Sequence, residues 1–279
     1  MIRGRRGFGL AELLMAMVIA GIIGVALTRL VISQARFVGM QDAMMRARSG
    51  ARASLNVLSD EMKMVPTRGV RMAHAESIEV RVPYAFGIAC FAWSGYMILS
   101  LLPSDSATFF GATPSGYAWR NASGIWQTVD GGTIITAAAN NACSAVGISG
   151  MTTANWVERY AGIQPYAAAI DTGTAIMLYQ RIKYAFAPSV LLPGRVALWR
   201  TVVTTGVREE LVAPFDTASR FEFLTTSRYI PQSAVPASLD SIRGVRVRLK
   251  AASETTPQGR STPPTFDISV DVYFRNYEP

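Results

Sequence analysis

The chain opens with a basic leader, Arg3-Gly4-Arg5-Arg6-Gly7, that runs directly into an apolar segment. From Phe8 to Leu27 the one charged side chain in 20 residues is Glu12. A helix rising about 1.5 Å per residue crosses the hydrocarbon layer in that length, so the stretch predicts a membrane anchor. The arginines ahead of it favour a cytoplasmic N-terminus and export of the rest. A carboxylate in a membrane helix costs about 2.5 kcal/mol near the bilayer centre and by default marks function. Glu12 lies in the first turn or two, where the helix dipole and the headgroups reduce that cost. If the chain is cut between Gly7 and Phe8, the new amine at Phe8 is a natural counter-charge, most directly for the Glu12 of a neighbouring subunit offset along the axis.

Two plainer readings fit the hydropathy. An ordinary secretory signal would be cut after its apolar core, near Gly24-Val25-Ala26. That core would be unusually long, and Glu12 would have no role. A plain anchor would carry Glu12 as an interfacial charge.

The residues Gly7-Phe8-Gly9-Leu10-Ala11-Glu12-Leu13-Leu14 resemble the class III signal of the type IV pilin and pseudopilin superfamily, usually Gly-Phe-Thr-Leu-Ile-Glu-Leu. Gly9 and Ala11 stand where Thr and Ile are commoner. The resemblance implies cleavage after Gly7 by prepilin peptidase, N-methylation of Phe8, and use of Glu12 to set register during assembly.

Beyond the membrane run the apolar pattern narrows to a stripe. Phe37, Met40, Met44, Ala47, Ala51, Leu55, Leu58, Met62 and Val65 step by three or four, with charged residues largely between them. Gly39 and Gly50 weaken a helix without breaking it, and Pro66 ends it. The expectation is one continuous helix from about Leu10 to Met64, its second half packed on a globular head. Met40-Gln41-Asp42-Ala43, Gly50-Ala51-Arg52-Ala53 and Leu58 to Met64 are similar to the stem of PilW-like minor pilins. The type II secretion pseudopilin J is the next nearest resemblance and is commonly shorter.

From Val70 the period changes to two. Ile78, Val80 and Val82 alternate with Glu79 and Arg81, predicting a strand closed by Pro83. Phe86 to Leu102 reads as one or two buried strands. Residues 104–174, rich in small and polar types, read as a loop-rich insertion with short strands. Clear alternation returns at Ile176 to Phe186, Arg195 to Val202, Arg220 to Leu224, Gly244 to Lys250 and Asp267 to Phe274, implying an antiparallel sheet with one wet face. Lys183-Tyr184, Leu198-Trp199-Arg200, Val245 to Leu249 and Arg275-Asn276 resemble, in order, motifs of the PilW-like and J-type heads.

The resulting fold class is α+β and pilin-like: a leader (1–7), a long helix (8–65, with 8–28 in the membrane or fibre core) and a β-rich head (66–279). Two cysteines, Cys90 and Cys143, lie in the exported part, where a disulfide is the expected use. Their separation of 53 positions gives such a loop about 4 kcal/mol of stabilisation in the chain-entropy model. The formal net charge is +8, and removal of the leader leaves +5, a modest excess that most simply means a solvated basic surface. Arg246, Arg248 and Lys250 share one strand face. With a single histidine, His74, and no phosphate loop or metal-ligand pair, no enzyme, cofactor or metal is expected. The expected role is a structural minor pilin. Its partners are other pilin subunits, prepilin peptidase and the bacterial inner membrane, with the head periplasmic and the assembled form in the pilus fibre. A type II secretion pseudopilin, or a tip pilin whose head binds DNA or a surface ligand, is the alternative.

Overall fold

The absence of proline before Pro66 lets one helix, α1 (Leu10–Lys63), run for 54 residues, about 81 Å. The computed structural model describes residues 9–137, 147, 160–166, 170–225, 228–254, 256 and 261–274. Ala43, Ala47, Ala51, Leu55, Leu58 and Met62 are buried on one side of α1, and the whole stretch from Leu10 to Gly39 is exposed. The expected stripe therefore starts one turn late, because the sheet reaches only to Ala43. Phe37, counted in that stripe, is 59% exposed. Small residues at the contact let the helix lie close to the sheet; a Cβ on Gly50 would stand 3.4 Å from Val212 Cγ1.

Two long strands form the middle of the head. β1 (Val70–His74) pairs antiparallel with the start of β2 (Ser77–Trp93), which turns at Ser94-Gly95 into β3 (Tyr96–Leu101). Ser94 and Gly95 have φ of +51° and +82°, as a tight two-residue hairpin requires. β2 also pairs with β8 (Ala175–Pro188) from Ser77 opposite Ala185 to Ile88 opposite Ala175. Pro83 does not close the strand, contrary to the sequence reading. It sits opposite Tyr179 at a bulge, where a residue without an N–H is tolerated and the ladder resumes.

The bulge also shifts the parity of β2. Ile78, Val80 and Val82 join the core under α1, whereas Ala85 and Ala89 join a second core beyond it. On β8 no shift occurs, so Ile182, Tyr184 and Phe186 serve the first core and Ile176 and Leu178 the second.

The segment read as a loop-rich insertion contains a helix that periodicity did not reveal, α2 (Pro103–Gly111), too short to display a stripe. Its Asp105 accepts from the Phe86 N–H at 2.9 Å and so ties it to β2. The short strands expected there are β4 (Gly116–Arg120), β5 (Trp126–Asp130), β6 (Thr133–Ala137) and β7 (Tyr160–Gln164). β4 lies along the Ile176–Tyr179 part of β8, and β7 extends the sheet beyond β3.

On the other flank follow β9 (Val196–Val202), β10 (Arg208–Phe215), β11 (Arg220–Thr225), β12 (Arg228–Gln232), β13 (Ile242–Ala252) and β14 (Thr265–Tyr273). Among the described residues all register pairs are antiparallel, and the strands join in a single 14-stranded sheet. β13 runs between β11 and β14, with α1 packed across β13 and β14. Over this flank the sheet has the expected wet face. Over β2 and β8 it does not: Arg81 is buried against Asp130 of the β4–β5 hairpin and Glu79 beside Arg181 of β8, and both alternate with the residues that face α1.

Candidate assembly site

The free half of α1 is the first element of the site. An 18-residue window within it has mean hydropathy 2.4, and none of that window is buried. Glu12 has a partner in its own chain: the Gly9 N–H donates to Glu12 Oε2 at 3.1 Å. This is half of a capping box, since Gly9 is the N-cap and has no side chain to return the bond. The signal was present in the sequence as Gly9 followed three residues later by Glu12. Gly7 and Phe8, the expected cleavage and methylation positions, lie outside the described residues, as does Cys143. Cys90 is fully buried in β2.

Where α1 meets the sheet, one carboxylate fastens it. Glu61 accepts from the Tyr184 hydroxyl on β8 and from Arg200 on β9, whose Nη2 lies 3.0 Å from Oε1. Burial alone would lower the Arg200 pKa, but Glu61 more than offsets it and the group is raised. Burial, with Glu61 adding to it, pushes the Tyr184 hydroxyl well up. Tyr184 and Arg200 are two of the residues on which the head motifs were matched. They converge on the stem helix.

A second network ties the β4–β5 hairpin to the middle of the sheet. Arg81, with a side chain 6% exposed, grips Asp130 through Nε at 2.9 Å and Nη2 at 2.6 Å. Arg81 Nη1 also donates to the Arg68 carbonyl at 2.7 Å, and Arg71 Nη2 lies 3.3 Å from Asp130 Oδ2. The Tyr179 hydroxyl is 2.7 Å from Asp130 Oδ1. Burial raises the Asp130 pKa, but hydrogen bonds from Arg81 and Tyr179 and the two arginine charges prevail and hold it at about 2, against an ordinary 3.8.

Each of the three cations on the basic strand face has a carboxylate partner. Arg246 makes a two-point contact with Asp271 at 2.5 and 2.8 Å. Arg248 and Arg220 share Glu222 at 3.4 and 3.0 Å, and Lys250 lies 3.7 Å from Asp216. Such a face offers a polyanion little free positive charge. His74 is exposed at the end of β1. Among the described residues no group of three or more His, Cys, Asp or Glu is placed to hold a metal.

Helix and head together define a class of protein: a β-sheet head carried on a long stem whose outermost stretch, Leu10 to Leu27, is apolar on every side apart from one carboxylate near its start. Residues 2–28 match the family model described as the prokaryotic N-terminal methylation motif, the motif of type IV pilin-like proteins processed by prepilin peptidase. No curated protein and no solved structure matches the chain.

Proposed function

We propose that this chain is a structural minor pilin, cut between Gly7 and Phe8, methylated on Phe8 and packed by its stem into a type IV pilus. The single observation that carries the reading is the exposed apolar run of α1 from Leu10 to Leu27 with Glu12 in its first turn. Lipid can cover that surface before assembly, and neighbouring stems can cover it afterwards. The head is periplasmic in this reading, because the arginines precede the anchor. We read no catalysis into the head. The paired basic strand favours a building role over DNA binding. The stem resemblance and the length of the chain favour the pilus over a type II secretion fibre.

The test is the N-terminus of the mature protein. After co-expression with a prepilin peptidase, mass spectrometry should find a chain that begins with methylated Phe8. A chain that begins at Met1, or well beyond Phe8, removes the basis for assembly through Glu12.

Export also implies a Cys90–Cys143 disulfide. Non-reducing peptide mapping of the exported form should recover the linked peptides; two free thiols would refute the pairing.

A further inference from the structure

The turn between β8 and β9 is built to hold two aliphatic side chains out in water. Glu210 on β10 accepts from the Ser189 hydroxyl, from the Val190 N–H at 2.9 Å and from the Leu191 N–H at 3.3 Å. The Leu192 N–H donates to Ser189 Oγ at 2.8 Å, and the Ser189 N–H donates to the Arg195 carbonyl at 2.8 Å. Val190 and Leu191 are nevertheless each 74% exposed. Scattered exposed aliphatics need no explanation. This pair is different, because a carboxylate fixes its backbone and keeps it presented, as suits a preorganised contact.

The tip stands beside the place where the stem leaves the head. Leu191 and Leu192 line a cleft of about 340 Å³ with Glu210, Leu211, Val212 and Glu254. Val212 also meets α1 at Gly50, and Ala43, earlier on that helix, is its first buried residue. Glu254 is exposed and pairs with no cation among the described residues, although Arg46 shares the adjoining groove with it.

The stem carries a complementary surface. A hydrocarbon layer about 30 Å thick takes up about 20 helical residues, which Phe8 to Leu27 supply. Leu30, Val31, Ile32, Phe37 and Val38 lie beyond it and are exposed. The one charged residue from 30 to 38 is Arg36. Neither lipid nor their own head covers these side chains.

We propose that the tip and cleft receive the 30–38 stretch of α1 from a second copy of this chain, with Val190 and Leu191 against its aliphatics and Glu254 facing its Arg36. This deepens the assembly reading and rests on it. Tip and stem are different patches of one molecule, so the contact runs head to stem and can repeat along a fibre.

Two differently tagged full-length copies, co-expressed with a prepilin peptidase and mildly oxidised in membranes, test this. One carries Leu191→Cys and the other a single cysteine at one position from 30 to 38. Disulfide-linked pairs should concentrate at positions three or four apart, as one helix face presents them. Glu254→Arg in the first copy, or Arg36→Glu in the second, should each cut the yield about fivefold, the scale of an exposed ion pair. Both reversals together should restore it. Both side chains are exposed, so neither change disturbs the core. Mass spectrometry of the same sample reads the N-terminus. A start at Met1 overturns the assembly reading and the docking with it; a start at Phe8 without a cross-link overturns the docking alone. Equal yield at every stem position, or no recovery in the charge-swapped pair, overturns the docking too.

Discussion

Replacing Asp130 by asparagine is expected to destabilise the head by about 3 kcal/mol, the lower end for breaking a buried ion pair. The shape of the side chain survives, but Arg81 is left in the sheet with its charge uncompensated, and Arg71 loses the same partner. For a chain of this size the melting temperature should fall by roughly 6–12 °C. Near-UV circular dichroism of the detergent-solubilised protein measures it. The pair Arg81→Met with Asp130→Leu should recover much of the loss, because an apolar substitute removes the desolvation cost of both ions. A single-mutant shift below about 2 °C would mean that the network contributes no more than a surface pair.

The same residue sets an acid limit. Its carboxyl is held at about 2 in the folded state against an ordinary 3.8. A depressed acid contributes stability above its unfolded pKa and loses it as pH falls through the folded value. About 2 kcal/mol should therefore disappear between pH 4 and pH 2 in the native protein. The Asp130→Asn variant should lack that part of the acid profile.

Glu12→Gln should leave membrane insertion intact and nearly abolish recovery of the chain in sheared fibres. Glutamine keeps the bond to the Gly9 N–H, so the start of the helix is preserved while the charge is lost. A carboxylate and an amine 4 Å apart at an effective dielectric constant near 20 attract by about 4 kcal/mol. Giving up the intrachain cap costs about 1 kcal/mol, so about 3 kcal/mol remains to select one axial register. Comparing variant and native chain in membrane and fibre fractions decides the matter. Equal incorporation would show that the carboxylate is a helix cap and nothing more.

Much of the stem was legible because its causes are local. The apolar run, the single carboxylate, the stripe of three and four, and Pro66 are each read within a few residues, and α1 follows them from Leu10 to Lys63. Alternation likewise located β8, β9, β11, β13 and β14, since a strand with one buried face shows it in its own sequence. The short helix α2 left the weakest trace, a proline at its start and Asp105 in its first turn.

What the amino-acid order determined by itself was therefore the stem, its charge and the succession of strands. The tertiary structure alone decided which groups meet. Arg81 reaches Asp130 across 49 positions, and Glu61 reaches Arg200 across 139. Arg246 and Arg248 of β13 turned out to be paired because register set Asp271 of β14 and Glu222 of β11 beside them. Periodicity reports which way a side chain faces along one strand. It holds no information on the strand that will lie next to it, and ion pairing depends on that neighbour.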